Sequence, residues 1–181
     1  MMRIITGSAR GTKLATLEGD TTRPTSERTK EAVFSMIQFD IEGRTVLDLF
    51  AGSGQMGLEA LSRGAMSAVF CDFSDEAVEI VRQNAMKTKL YSKCKIMRLD
   101  YKEYIRAASN SKRKFGIVFL DPPYKTNYIE KSLLLIHYGA DIHYKLETQV
   151  NAAILSLILE DIDNAYNLIV NLNADITKLL K

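Results

Sequence analysis

The sequence predicts an α/β fold with a doubly wound, mostly parallel sheet, and three observations carry that reading. Short apolar runs at 45–49, 67–71, 93–97 and 115–120 alternate with segments of helical spacing. Each of these runs ends in or is followed within a few residues by an acid: Asp48, Asp72, Asp100 and Asp121. A glycine-rich turn, Gly52-Ser-Gly54, follows the first run and opens a helical segment. Strand–helix alternation of this kind builds right-handed βαβ units, and these bury a parallel sheet under helices on both faces.

In chain order, Arg3–Thr6 and Thr12–Leu17 are β-prone pieces separated by Gly7 and Gly11, which reads as an N-terminal hairpin. Ser26 is placed to cap a helix beginning at Glu27, with Ala32, Val33, Met36 and Ile37 at helical spacing. Thr45–Leu49 is the first strand of the sheet, and the helix after the glycine turn runs through Ser62 and stops at Gly64. Ser67–Cys71 is a strand ending at Asp72. Ser74 caps the next helix, whose first turn holds Asp75 and Glu76. Lys93–Met97 is a third strand, and Asp100 and Glu103 stand at capping-box spacing before another helix. Phe115–Leu120 is the most apolar strand, and Asn127 and Glu130 repeat the capping pattern beyond it.

The tail is less punctuated, with one glycine, Gly139, and no proline in residues 125–181. Ala152–Leu159 suits a buried strand and Glu147–Leu159 a helix, and periodicity does not decide between them. Helix is the reading taken for most of the tail. The expected division is an N-terminal extension at 1–44 and a catalytic domain at 45–181, with an atypical tail at 137–181.

At 181 residues, 46% hydrophobic and 25% charged, the chain has the composition of one ordinary globular domain. No run approaches the roughly 18 apolar residues of a membrane span, and the start does not read as a signal peptide. Two cysteines, Cys71 and Cys94, are too few for a disulfide scaffold or a four-thiolate zinc site. His137 and His143 lack ligand spacing, so no metal is expected. A cytoplasmic setting and a monomer are the expectations.

The net charge of +2 hides a strong asymmetry. Lys87–Lys114 holds ten Lys or Arg against Asp100 and Glu103, a balance of +8, whereas Val46–Met86 stands at −4. A solvated face and an electrostatic footprint for nucleic acid explain the run equally well at this level.

Two motifs carry chemistry. In Asp48-Leu-Phe50-Ala-Gly52-Ser-Gly54-Gln-Met-Gly57, the glycines permit a tight turn and close approach of a ligand to free N–H groups at the helix start. Asp48 suits a cationic ligand such as the amino group of S-adenosylmethionine, Asp72 suits ribose hydroxyls, and Asp100 is placed to read an adenine amino group. Phe50 reads as packing under the cofactor. Each Asp alone could be a helix cap or loop residue; three at successive strand ends argue for a site. In Asp121-Pro122-Pro123-Tyr124, the Asp121 carboxylate and the Pro122 carbonyl can accept both hydrogens of an exocyclic amine. Tyr124 can stack on the base, and the prolines, Pro123 included, stiffen the backbone. Read as structure alone, Pro-Pro is a rigid turn.

Together with Arg3-Ile-Ile-x-Gly7, Arg10-Gly11, Arg23-Pro-Thr25, Arg28-x-Lys30-Glu31-Ala-Val-Phe34, Gly57-Leu-Glu-Ala-Leu-Ser-Arg-Gly64 and Asn84, these motifs resemble the RsmD-type methyltransferases over roughly residues 1–130. The resemblance implies a class I, Rossmann-like methyltransferase fold using S-adenosylmethionine. It implies methyl transfer to N2 of a guanine in bacterial small-subunit (16S) ribosomal RNA, with Arg10, Arg23 and Arg28 as RNA contacts. Two departures stand out. Asp72 replaces the family's usual Glu, and residues 137–181 lack the pattern of its final strands. The rivals are transfer to another exocyclic amine such as adenine N6 in DNA, a nicotinamide-dependent oxidoreductase, and an inactive RNA-binding or assembly protein. The oxidoreductase is disfavoured because Asp-Pro-Pro-Tyr has no role there and the chain leaves no room for a second catalytic domain.

Overall fold

Capping and apolar periodicity set the elements of the structure, a computed structural model that describes residues 2–17, 26–122 and 127–138. Helix α1 is Glu27–Met36, and its Ser26 cap accepts the Thr29 N–H as expected. Strand β1 (Thr45–Asp48) leads through the glycine turn to α2 (Gln55–Ser62), which stops where Gly64 takes a φ of 107°. Strand β2 (Ser67–Asp72) and α3 (Asp75–Lys87) follow, with Ser74 accepting the Ala77 N–H. A single 3₁₀ turn precedes β3 (Cys94–Arg98). Asp100 caps α4 (Tyr101–Asn110) through the Lys102 N–H, and β4 (Ile117–Phe119) and α5 (Tyr128–Tyr138) complete the described chain.

All four strands pair in parallel, in the order β3-β2-β1-β4. The chain steps outward from β1 to β3 and then crosses to the other side of β1, so the strand order reverses between β1 and β4. Open α/β sheets bind ligands at such a reversal, outside the carboxyl ends of the strands.

Side chains alternate across the sheet, as the two-residue period of a strand requires. Val46, Ala68 and Phe70 face one cluster with Val33, Phe34, Leu58, Leu61, Val81 and Ala85. Leu47, Leu49, Val69 and Cys71 face another with Tyr101, Tyr104 and Ile105, and Leu133 and Ile136 pack against it. Helices α1 to α3 therefore cover one face, and α4 and α5 the other. Burial pushes the Cys71 and Cys94 thiols up to about 12, which leaves both inert as nucleophiles and in keeping with core roles.

Two expectations change in detail. The N-terminal hairpin reduces to a single antiparallel bridge, Arg3 with Lys13, supported by Ile4 N–H to Thr12 O and Leu14 N–H to Met2 O. Its partners lie instead in the domain. Ile4, Ala9 and Leu14 sit in the same core cluster as Val46 and Phe70, so the described N-terminal residues share the core of the sheet. The strand expected at 115–120 pairs only over Ile117–Phe119. Of the expected tail, 137–181, residues 139–181 lie outside the described residues.

Candidate active site

The glycine turn is held by the acids that flank it. Asp48 lies at the end of β1 and is 1% exposed; the Gly57 N–H donates to its Oδ2 at 3.0 Å. The carboxyl is thus tucked beneath the turn, against the first turn of α2. Burial pushes its pKa up to about 8, opposed by the Gly57 hydrogen bond and reinforced by the charges of Asp121 and Asp72. Asp72, at the end of β2, accepts the Gly52 N–H at Oδ2 (2.9 Å) and the Ser74 N–H at Oδ1 (3.0 Å). A carboxylate offers about four acceptor positions, so Asp72 keeps capacity for ligand hydroxyls.

The glycines divide the work. Gly52 and Gly54 take φ of 51° and 75°, in the left-handed region. A Cβ on Gly52 would meet nothing within 4 Å, so the turn is open on that side. A Cβ on Gly57 would stand 2.3 Å from Cε1 of Phe70, so only glycine lets α2 pack this closely on β2.

Beyond the ends of β2 and β3, a cleft of about 240 Å³ is lined by Phe73, Arg98, Leu99, Asp100 and Glu103. Phe73 is 69% exposed directly after Asp72, an uncovered aromatic face beside two acids. Asp100 is exposed, and Phe50 stands in an aromatic group with Tyr101 (5.2 Å) and Tyr128 (6.1 Å, nearly parallel) beneath the α4–α5 side of the turn. Asp121 leaves the end of β4, two residues past Phe119, which pairs with Asp48; Pro122 after it is buried. Pro123 and Tyr124 lie outside the described residues.

The N-terminal segment is fastened to this site by buried polar groups. Glu59 on α2 accepts the N–H groups of Ile5 (2.8 Å) and Thr6 (3.0 Å) and the Arg63 Nε (2.8 Å). Asn84 on α3, fully buried, accepts the Ala15 N–H and donates to the carbonyls of Ala15 and of Ser53 in the glycine turn. Ser53 Oγ in turn donates to Met2 Sδ (3.1 Å). Arg10 and Arg28 belong to this N-terminal side, both exposed, and Arg23 lies outside the described residues.

The family described as conserved hypothetical protein 95 matches residues 2–150. YlbH of Bacillus subtilis, provisionally named an rRNA methyltransferase, is 40% identical over 135 residues, covering 75% of this chain and 73% of its own. Ribosomal RNA small subunit methyltransferase D of Haemophilus influenzae is 34% identical over 136 residues, covering 75% and 70%. The chain belongs to the RsmD-type methyltransferase family. The solved structure of the hypothetical protein TTHA0928 from Thermus thermophilus superposes with a TM-score of 0.66 at 30% identity, covering 75% of this chain and 78% of that one. The RsmD-type architecture is thus that of a class I, Rossmann-like methyltransferase.

Of the residues read from sequence, Asp48, Gly52, Gly54 and Asp72 meet around one turn, with Asp100 on the adjoining cleft and Asp121 one strand away. Arg10 and Arg28 stay with the N-terminal segment. Sequence reading assigns no role to Phe73, Lys30, Glu59, Tyr101 or Tyr128. For Phe73 the signal was available, since an apolar residue directly after a strand-end acid has no strand left to pack in. For Lys30 and Glu59 there was none, because charges on amphipathic helices ordinarily face water.

Proposed function

We propose that this RsmD-type protein transfers a methyl group from S-adenosylmethionine to the exocyclic N2 amino group of a guanine in small-subunit (16S) ribosomal RNA. The observation that carries the reading is the meeting of the Asp48–Gly57 turn with Asp121-Pro122 where the strand order reverses. The relatives named for small-subunit rRNA support the substrate, and the N-terminal Arg-Pro-Thr segment that resembles the family's supports the guanine.

The residues fit the donor. The open side of Gly52 leaves room against the turn, and the Asp72 carboxylate retains acceptors for ribose. The Phe73 ring offers a face for adenine, with Asp100 at the edge of the same cleft to accept from its amino group. Asp72 and Asp121 make a negative field for a sulfonium and an ammonium, and Asp48 joins it when the bound cation favours its ionised form. S-adenosylmethionine supplies an electrophilic methyl when bound.

The remaining chemistry belongs to the chain. The Asp121 carboxylate and the Pro122 carbonyl each accept one hydrogen of the guanine amine. This draws the nitrogen lone pair out of conjugation with the ring and aims it across the cleft. No strong base is required, because the leaving thioether is neutral and the nitrogen loses its proton to Asp121 or solvent. Tyr124 is the candidate to stack on the base, and Arg10, Arg23 and Arg28 to hold phosphates on the N-terminal side. The extension at 1–44 is in this reading the part that presents RNA to the domain at 45–181.

The test is methylation of small-subunit rRNA by the purified chain with labelled donor, followed by nucleoside analysis. N2-methylguanosine is expected, and N6-methyladenosine or no product would overturn the reading. Asp121→Ala should abolish transfer and leave donor affinity within a few-fold; normal turnover in that variant would remove Asp121 from the mechanism.

A further inference from the structure

Of the ten cations in Lys87–Lys114, Arg98 lines the cleft, whereas five, Lys87, Lys89, Lys93, Lys112 and Lys114, fold to the opposite end of the sheet. Helices α2, α3 and α4 run against the strands, so their carboxyl ends reach the rim where the strands begin. The register sets Val46, Ala68, Cys94 and Ile117 in one row across that rim. Just before this row lie Arg44, Lys93 and Lys114, and the ends of α3 and α4 bring Lys87, Lys89 and Lys112 to the same side. All six are exposed. The opposing charges there are Glu42, beside Gly64, and Asp40 in the loop leading to it.

Two of these lysines occupy positions that favour glycine. Lys89 and Lys112 have φ of 61° and 50°, each one residue past a helix cap, Thr88 and Ser111. A residue with a Cβ is strained there, and α2 uses Gly64 at the matching place. The helix dipole favours a cation at a helix end, which accounts for part of the pattern. It does not account for Arg44, Lys93 and Lys114, which precede strands.

We infer that this rim is a second phosphate-binding face for ribosomal RNA, separate from the cleft; the inference rests on the rRNA reading above. The rim spans three strand spacings, about 14 Å, and stands about 20 Å from the cleft along β2. Flexible exposed lysines bind phosphate as point charges without reading sequence. A substrate touching both ends must pass around the domain. The preferred RNA is therefore an extended folded one, and a short hairpin holding the target guanine fills the cleft alone.

The experiment compares the parent chain with a Lys89→Gly, Lys93→Gln, Lys112→Gly variant, titrating salt against binding of transcribed small-subunit rRNA and of a short stem-loop. Glycine relieves the left-handed positions, so the variant should melt no lower than the parent and bind S-adenosylhomocysteine equally. Its log–log salt slope on the long RNA should fall by roughly 2–3, and its slope on the stem-loop should stay the same. An unchanged slope on the long RNA, or an equal fall on both RNAs, overturns the second face. The methylation assay on the parent chain judges the substrate reading separately, since the salt slope reads binding whether or not transfer occurs.

Discussion

The Lys30 ammonium and the Glu59 carboxylate lie 3.7 Å apart, and neither side chain is exposed to solvent. Lys30 also donates to the Arg3 carbonyl at 2.6 Å, and Arg63 stacks over the Phe34 ring at 4.8 Å while holding Glu59. Burial pushes the Lys30 pKa down, and the Glu59 charge works against that shift. One carboxylate on α2 thus ties α1 and the N-terminal segment to the helix that begins at the glycine turn.

Removing that one charge should be costly. Glu59→Gln leaves Lys30 and Arg63 facing a neutral amide in a buried setting, and breaking a buried pair typically costs about 3–5 kcal/mol. Urea unfolding measures it. A loss under about 1 kcal/mol would mean that water or rearrangement satisfies the cations.

Asp48 predicts a pH dependence with a definite sign. Its folded pKa, about 8, lies above its ordinary 3.8, so folding takes up a proton between these values. The contribution is full below about pH 4 and is lost as pH rises through about 8. Asp48→Asn keeps an acceptor for the Gly57 N–H and should flatten this part of the stability curve. A cationic donor beside Asp48 favours the ionised form, so donor affinity should rise with pH towards about 8, by up to about tenfold per pH unit. Calorimetric titrations across that range would show the rise in the parent and its absence in Asp48→Asn; identical curves would detach Asp48 from the ligand.

Gly57→Ala tests the close approach of α2 to β2. The new methyl meets the Phe70 ring at 2.3 Å, which forces a shift costing about 1–3 kcal/mol. Adding Phe70→Leu should recover part of that loss, a non-additivity that unfolding of the four variants in the cycle measures directly. Strict additivity would place the strain elsewhere.

Phe73→Ala separates binding from stability. Because Phe73 is exposed, the fold should change by less than about 0.5 kcal/mol. Stacking of a base on an aromatic ring is worth roughly 1–3 kcal/mol, so S-adenosylhomocysteine affinity should fall about 5- to 150-fold. Unchanged affinity would remove Phe73 from the adenine site.

What the sequence by itself determined is local. The caps Ser26, Ser74 and Asp100, the stop at Gly64, the glycine turn and the strand-end acids all appear where reading predicted them. Each depends on hydrogen bonds or apolar spacing within a few residues, which pattern alone encodes. Tertiary structure decided the rest. Lys30 meets Glu59 across 29 positions, Asn84 meets Ala15 across 69, and Asp48 turns under the glycine loop rather than out into the cleft. Half of the basic run, Lys87, Lys89, Lys93, Lys112 and Lys114, is carried by the ends of α3 and α4 and by the strand register to the far rim of the sheet. Such partners are chosen by burial, where an unpaired polar group is expensive and any distant segment that satisfies it is selected. That cost depends on which surfaces the fold brings together, and no local window of sequence contains it.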